Sequence, residues 1–109
     1  MSIHDQGFLD PKTGELLDTP PNGFPGERRI EHWHFSGLYA YNFPTLREYS
    51  HQHPEVLIEF IDINESEQRA RDARITGFPT TKVFVNEKEV GSTAVVILTK
   101  EWLNEHLQY

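Results

Sequence analysis

Cysteine is absent from all 109 residues. The chain can therefore form neither a disulfide framework nor a thiolate metal site, and it cannot exchange disulfides through its own side chains. Long apolar runs are missing too: nothing approaches the roughly 20 residues that a membrane span needs. The start, Met1-Ser2-Ile3-His4-Asp5-Gln6, lacks the basic and apolar regions of a secretion signal, so a cytoplasmic location without membrane contact is expected. Positive charge is scarce, with 10 Lys and Arg against 17 Asp and Glu and a formal net charge of -7. Such a surface repels nucleic-acid phosphates, and no nucleic-acid partner is expected. The one basic cluster, Arg69, Arg71 and Arg74, is interrupted by Asp72 and reads as a solvated helix face.

What is present suits one domain. The hydrophobic fraction of 37% is lean, but two Trp, four Tyr and seven Phe supply bulky core material. Residues 1–27 stand apart from the rest. Asp10-Pro11-Lys12-Thr13-Gly14 is a turn sequence, and Thr19 to Gly26 holds three prolines and two glycines. This stretch is expected to be an irregular extension, pinned to the domain by Phe8, Leu9, Leu16, Leu17 and Phe24.

Residues 28–109 carry regular patterns. From Arg28 to Phe35 the residues alternate, with Ile30, His32 and His34 on one face and Glu31, Trp33 and Phe35 on the other, as in a strand. Tyr39, Phe43, Leu46 and Tyr49 follow at helical spacing toward Gln52, with Pro44 inside the pattern and expected to kink it. Val56 to Ile63 is almost wholly apolar, as in a central strand covered on both faces. Asn64-Glu65-Ser66-Glu67 has the form of a capping box, opening a helix to about Ile75 that Gly77 would stop. Lys82–Val85 and Val90–Ile97 read as a hairpin around the turn Asn86–Glu89. Thr99 then caps a last helix whose apolar stripe is Trp102, Leu103, His106 and Leu107.

The order β-α-β-α-β-β-α within about 80 residues, together with local motifs, resembles thioredoxin along the whole of residues 28–109. Phe35-Ser36-Gly37-Leu38-Tyr39 stands where that family has an aromatic residue followed by Cys-Gly-Pro-Cys. Pro44 stands where its first helix carries a proline. Ile61-Asp62-Ile63-Asn64, Gly77-Phe78-Pro79-Thr80, Val83-Phe84-Val85-Asn86 and Leu98-Thr99-Lys100 are similar to further family segments. The resemblance implies an α/β thioredoxin-like fold, a mixed sheet of about four strands flanked by three helices, and a cis peptide before Pro79. It also exposes what has gone. Ser36 and Tyr39 replace both thiols, and Ile30 and Phe60 occupy the positions of the family's buried Asp and its Lys.

Three chemistries compete for these residues. Ser36 is read first as a helix N-cap. It could also donate to a thiolate such as glutathione, as serine does in glutathione transferases that share the fold; no second, helical domain is present to complete that site. A serine nucleophile with His32 or His34 as base lacks an orienting acid. A metal site is not expected, because His32 and His34 lie at the far end of the fold from His51 and His53. No cofactor is implied. Aromatic side chains crowd the former active-site edge, where a cis-proline backbone suits an extended peptide. The expected function is thus a redox-inactive protein-binding module, an adaptor, assembly factor or chaperone-like subunit. Its surface is Phe35, Ser36, Gly37, Leu38, Tyr39, Phe78, Pro79 and Val96, and its partner a protein or extended peptide. The alternative is a glutathione- or thiol-binding protein using Ser36. A third reading makes the domain a structural subunit docked through its proline-rich arm.

Overall fold

The computed structural model describes residues 6–21, 26–35, 41–95 and 97–109. Strands β1 (Gly7–Leu9) and β2 (Leu16–Leu17) precede β3 (Arg28–His34), helix α1 (Phe43–Gln52) and β4 (Leu57–Asp62). Helix α2 (Glu67–Asp72), β5 (Thr80–Val85), β6 (Lys88–Thr93) and α3 (Lys100–Leu107) complete the order. The six strands form one mixed sheet in the order β2-β1-β4-β3-β5-β6. Only β3 and β4 run parallel, and every other neighbouring pair is antiparallel.

Period-two alternation in β3 and β4 divides the core. Ile30, Ile58, Phe60 and Val83 face α1 and α3, where Leu46, Tyr49, Leu103 and Leu107 are buried against them. The opposite face buries Trp33 and Ile61 against Ala70 of α2, with Ile63, Ala73 and Ile75 packed around them. A part-buried hydrogen bond from the Tyr49 hydroxyl to Asn104 Oδ1, 2.9 Å, ties α1 to α3. Arg28 Nε donates to the Leu107 carbonyl at 2.6 Å, placing a cation on the C-terminal end of α3.

The sheet is wider than the four strands expected, because the N-terminal segment is not wholly irregular. Its turn at Pro11–Gly14 folds β1 onto β2, and β1 then adds to β4 through Gly7↔Phe60 and Phe8↔Glu59. Leu9, 1% exposed, is the anchor that draws the segment into the core. Phe24 lies outside the described residues.

Local signals shifted where tertiary contacts outweigh them. Pro44 does not kink α1: it sits in the first turn, where a missing N–H costs nothing because those amides have no helical partner. Asn64 does not cap α2. Its amide donates to Asp62 Oδ1 at 2.9 Å in a tight turn, and the cap position falls to Ser66, whose hydroxyl bonds Gln6 Oε1. The helix also ends before Gly77. Arg74 takes the left-handed conformation, φ 59, and the amides of Arg74 and Ile75 return to the carbonyls of Arg71 and Ala70, closing a Schellman motif. The β5–β6 turn is tighter than four residues. Asn86 and Glu87 both have positive φ, and Val85 pairs directly with Lys88, as in a two-residue type I′ hairpin. Strand β6 correspondingly begins at Lys88 and ends at Thr93, so Ala94, Val95 and Ile97 are not strand. Thr99 caps α3 as its position suggests, accepting from the Trp102 amide at 3.1 Å.

Candidate functional site

Two chain segments meet at the end of the sheet where β3 stops and β5 starts. The antiparallel register sets Trp33 opposite Thr80, so the residues just beyond each strand, Phe35 and Phe78, face one another. Their ring centroids lie 4.4 Å apart at 56°, at the close edge of the separations that aromatic pairs prefer. Phe35 remains 40% exposed, and Phe78 is half-buried. The Phe78–Pro79 peptide is cis, and Pro79 is buried. The Thr80 hydroxyl donates to the Gly77 carbonyl, which closes the loop around the proline.

More apolar surface borders this end. Strand β6 leaves the sheet at Thr93, opposite Thr81, and the chain continues past the proline loop through Val95, 51% exposed. The Leu98 amide donates to Asn42 Oδ1 at 2.8 Å in the interior. That bond joins the segment before α3 to the start of α1 and leaves the flanking Ile97 and Tyr41 exposed. Reading Val90–Ile97 as strand hid Val95 and Ile97, since a run of β-branched residues gives the same signal in a strand as in an exposed apolar stretch. Of the expected surface, Phe35, Phe78 and Pro79 are brought together. Ser36, Gly37, Leu38, Tyr39 and Val96 lie outside the described residues.

Beneath the edge the two strand histidines are part of the core and not polar residues at a strand end. His32 and His34 are fully buried, stacked at 5.7 Å with Phe60 edge-on to His32 at 5.2 Å. His32 Nδ1 bonds the Thr81 hydroxyl at 2.9 Å, and His34 Nδ1 donates to the Phe35 carbonyl at 2.9 Å. Burial, aided by the neighbouring His34, lowers the His32 pKa from 6.5 to about 3. An imidazole so reluctant to take a proton is a poor general base at neutral pH. The fully buried Ile30 and Phe60 leave no acid or amine at the positions where the resemblance locates the family's proton-transfer pair. Among the described residues no group of three His, Cys, Asp or Glu could hold a metal ion. No described helix is long and apolar enough to cross a membrane.

On the opposite face of the sheet lies an ion network that the alternation alone did not reveal. Glu31, 8% exposed, accepts from Trp33 Nε1 at 3.2 Å and pairs with Arg29. Arg69 forms two bonds to Glu59, 2.7 and 2.8 Å, and its guanidinium lies 5.4 Å from the Trp33 ring centre. Arg69 is therefore a strut between α2 and the sheet as well as a member of the solvated helix face. These side chains satisfy one another and leave no vacancy for chemistry.

No protein-family model matches the chain, and no curated protein sequence matches it. Solved structures do. A mutant thioredoxin from Halobacterium salinarum superposes with a TM-score of 0.66 at 15% identity, covering 76% of this chain and 74% of that one. Mitochondrial thioredoxin 3 from Saccharomyces cerevisiae gives 0.65 at 16% identity, covering 76% and 78%. Oxidised thioredoxin from Plasmodium falciparum gives 0.65 at 21%, covering 75% and 83%. At such identities the likeness speaks for the backbone alone. The mixed sheet, three helices and superposition together establish a thioredoxin-like fold that carries no cysteine.

Proposed function

We propose that this chain is a redox-inactive binding module that takes an extended polypeptide at the edge formed by Phe35, Phe78 and Pro79, as an adaptor, assembly factor or chaperone-like subunit. The observation that carries the reading is the half-open Phe35–Phe78 pair beside the cis proline, in a chain with no thiol. Aromatic rings left partly in water on a rigid strand end supply contact area at small cost in conformational entropy. Backbone groups of the proline loop can add main-chain hydrogen bonds to an extended partner. Val95 and Ile97 enlarge the apolar border, and residues 36–39 and Val96 complete the surface in this reading.

A random peptide library displayed on phage tests it. Selection on the wild-type chain is expected to enrich peptides with apolar residues at alternate positions. Synthetic versions should lose at least about tenfold in affinity on Phe78→Asp or Phe35→Asp, the scale of an aromatic anchor at an interface. Circular dichroism of both variants checks that the fold persists. Peptides that bind the two folded variants as tightly as wild type would remove this surface from consideration.

A further inference from the structure

A second site lies on the flank of α1. The turn between β1 and β2 lies along one face of that helix and borders an open cleft of about 400 Å³ between Lys12, Gly14, Pro44, Arg47, Glu48 and His51. Both walls are fixed. Asp10 accepts from the Lys12 and Gly14 amides and donates its own amide to the Glu15 carbonyl, which holds the turn. His51 Nδ1 reaches the Pro11 carbonyl at 3.3 Å and links turn to helix. Gly14 has φ +74, and a Cβ there would stand 2.2 Å from Arg47 Nε. The Arg47 side chain therefore packs directly against the glycine backbone.

The charge at this cavity is opposite to that of the chain. Its one acid, Glu48, is engaged by Lys100 at 2.7 Å and by Gln52 at 3.4 Å. Among the described residues neither Lys12 nor Arg47 has a carboxylate partner. Two cations without a carboxylate partner thus line one cleft in a protein of net charge -7. A guanidinium fork and an ammonium that line one cleft suit a doubly charged oxyanion. The rings of Pro11 and Pro44 give the same cavity an apolar wall for a compact organic group.

From this geometry we infer that the cavity binds a small organic phosphate monoester, its phosphate held by Lys12 and Arg47 and its body against the two prolines. The inference uses none of the peptide-binding edge and stands or falls without it. Amide NMR titrations with phenyl phosphate, inorganic phosphate and benzoate test it on the full chain. Phenyl phosphate is expected to bind most tightly, with shifts confined to the Pro11–Gly14 turn and the Arg47–His51 face of α1. Arg47→Gln and Lys12→Gln, both at exposed positions, should each weaken it by about tenfold or more. The inference is overturned if millimolar phenyl phosphate moves none of these resonances. It is equally overturned if benzoate binds as well, or if affinity survives both substitutions in chains whose spectra show the native fold.

Discussion

His32 shows how one side chain couples the core to the solvent. Its ring is neutral in the folded protein, with His34, the Thr81 hydroxyl and Phe60 around it. Its pKa is lowered from 6.5 to about 3 by burial and by His34. Above the unfolded value both states leave the ring neutral, and the residue adds no pH dependence. As the pH falls below that value the unfolded chain takes a proton that the folded chain refuses, so stability drops until the folded pKa is reached. Between about pH 7 and pH 5 this amounts to about 2 kcal/mol. Chemical denaturation across that range is expected to show the loss in the wild type and a flatter profile in His32→Leu; equal slopes would mean that other groups carry the acid response. The burial of this histidine was not legible in the sequence. His-x-His alternation says that two side chains share a face, but not that Phe60 from another strand will close over them. Glu31 is the same case, because Arg29 and Trp33 lie on its face of β3 while Arg69 arrives from α2.

At the scale of elements, Gly91 decides how closely α3 can approach the sheet. A Cβ at that position would stand 2.6 Å from His106 Cδ2 and 3.0 Å from Val83 Cγ2. The His106 ring is itself stacked on Trp102 at 4.2 Å and bonded to the Trp102 carbonyl, so it has little room to yield. Gly91→Ala is therefore expected to destabilise the fold by about 1–3 kcal/mol, the usual cost of overpacking, measurable as a lower denaturation midpoint. An unchanged midpoint would show that the α3 contact relaxes freely. Elements whose signals are local were legible: the Thr99 cap, the alternation of β3 and the apolar run of β4 all lie where the residues put them. Elements whose boundaries depend on distant partners were not. Asn64 is drawn into a turn on Asp62, and Ser66 takes the cap position while its hydroxyl donates to Gln6, 60 residues away in sequence. Strands of three and two residues, like β1 and β2, are too short to show any period. The Phe35–Phe78 edge was legible because both aromatics flank recognisable motifs, whereas the Arg47 cavity draws its walls from segments whose packing no pattern announces.

For the whole molecule, the consequence lies in where the sheet ends. Strand β4 is buried on both faces through Leu57, Ile58, Phe60 and Ile61, and its outer edge is engaged by β1 at Glu59 and Phe60. The N-terminal segment thus covers part of the β4 edge, as a stopper against self-association would. Without it, an apolar strand with unpaired amides and carbonyls would face solvent, the template on which sheets from separate molecules join. The other side of the sheet ends in β6, which presents Lys88 and Glu89 and carries a bulge opposite it at Val83–Phe84, features that discourage such joining. Removal of residues 1–25 is expected to give a chain whose sedimentation becomes strongly concentration-dependent and which binds amyloid dyes on standing. A truncated chain that stays monomeric and dye-negative at high concentration would show that β4 needs no stopper. If the truncated chain does assemble, β1 guards the molecule's solubility as much as its shape, and proteolytic trimming ahead of β3 would be a route from the folded chain to a fibre.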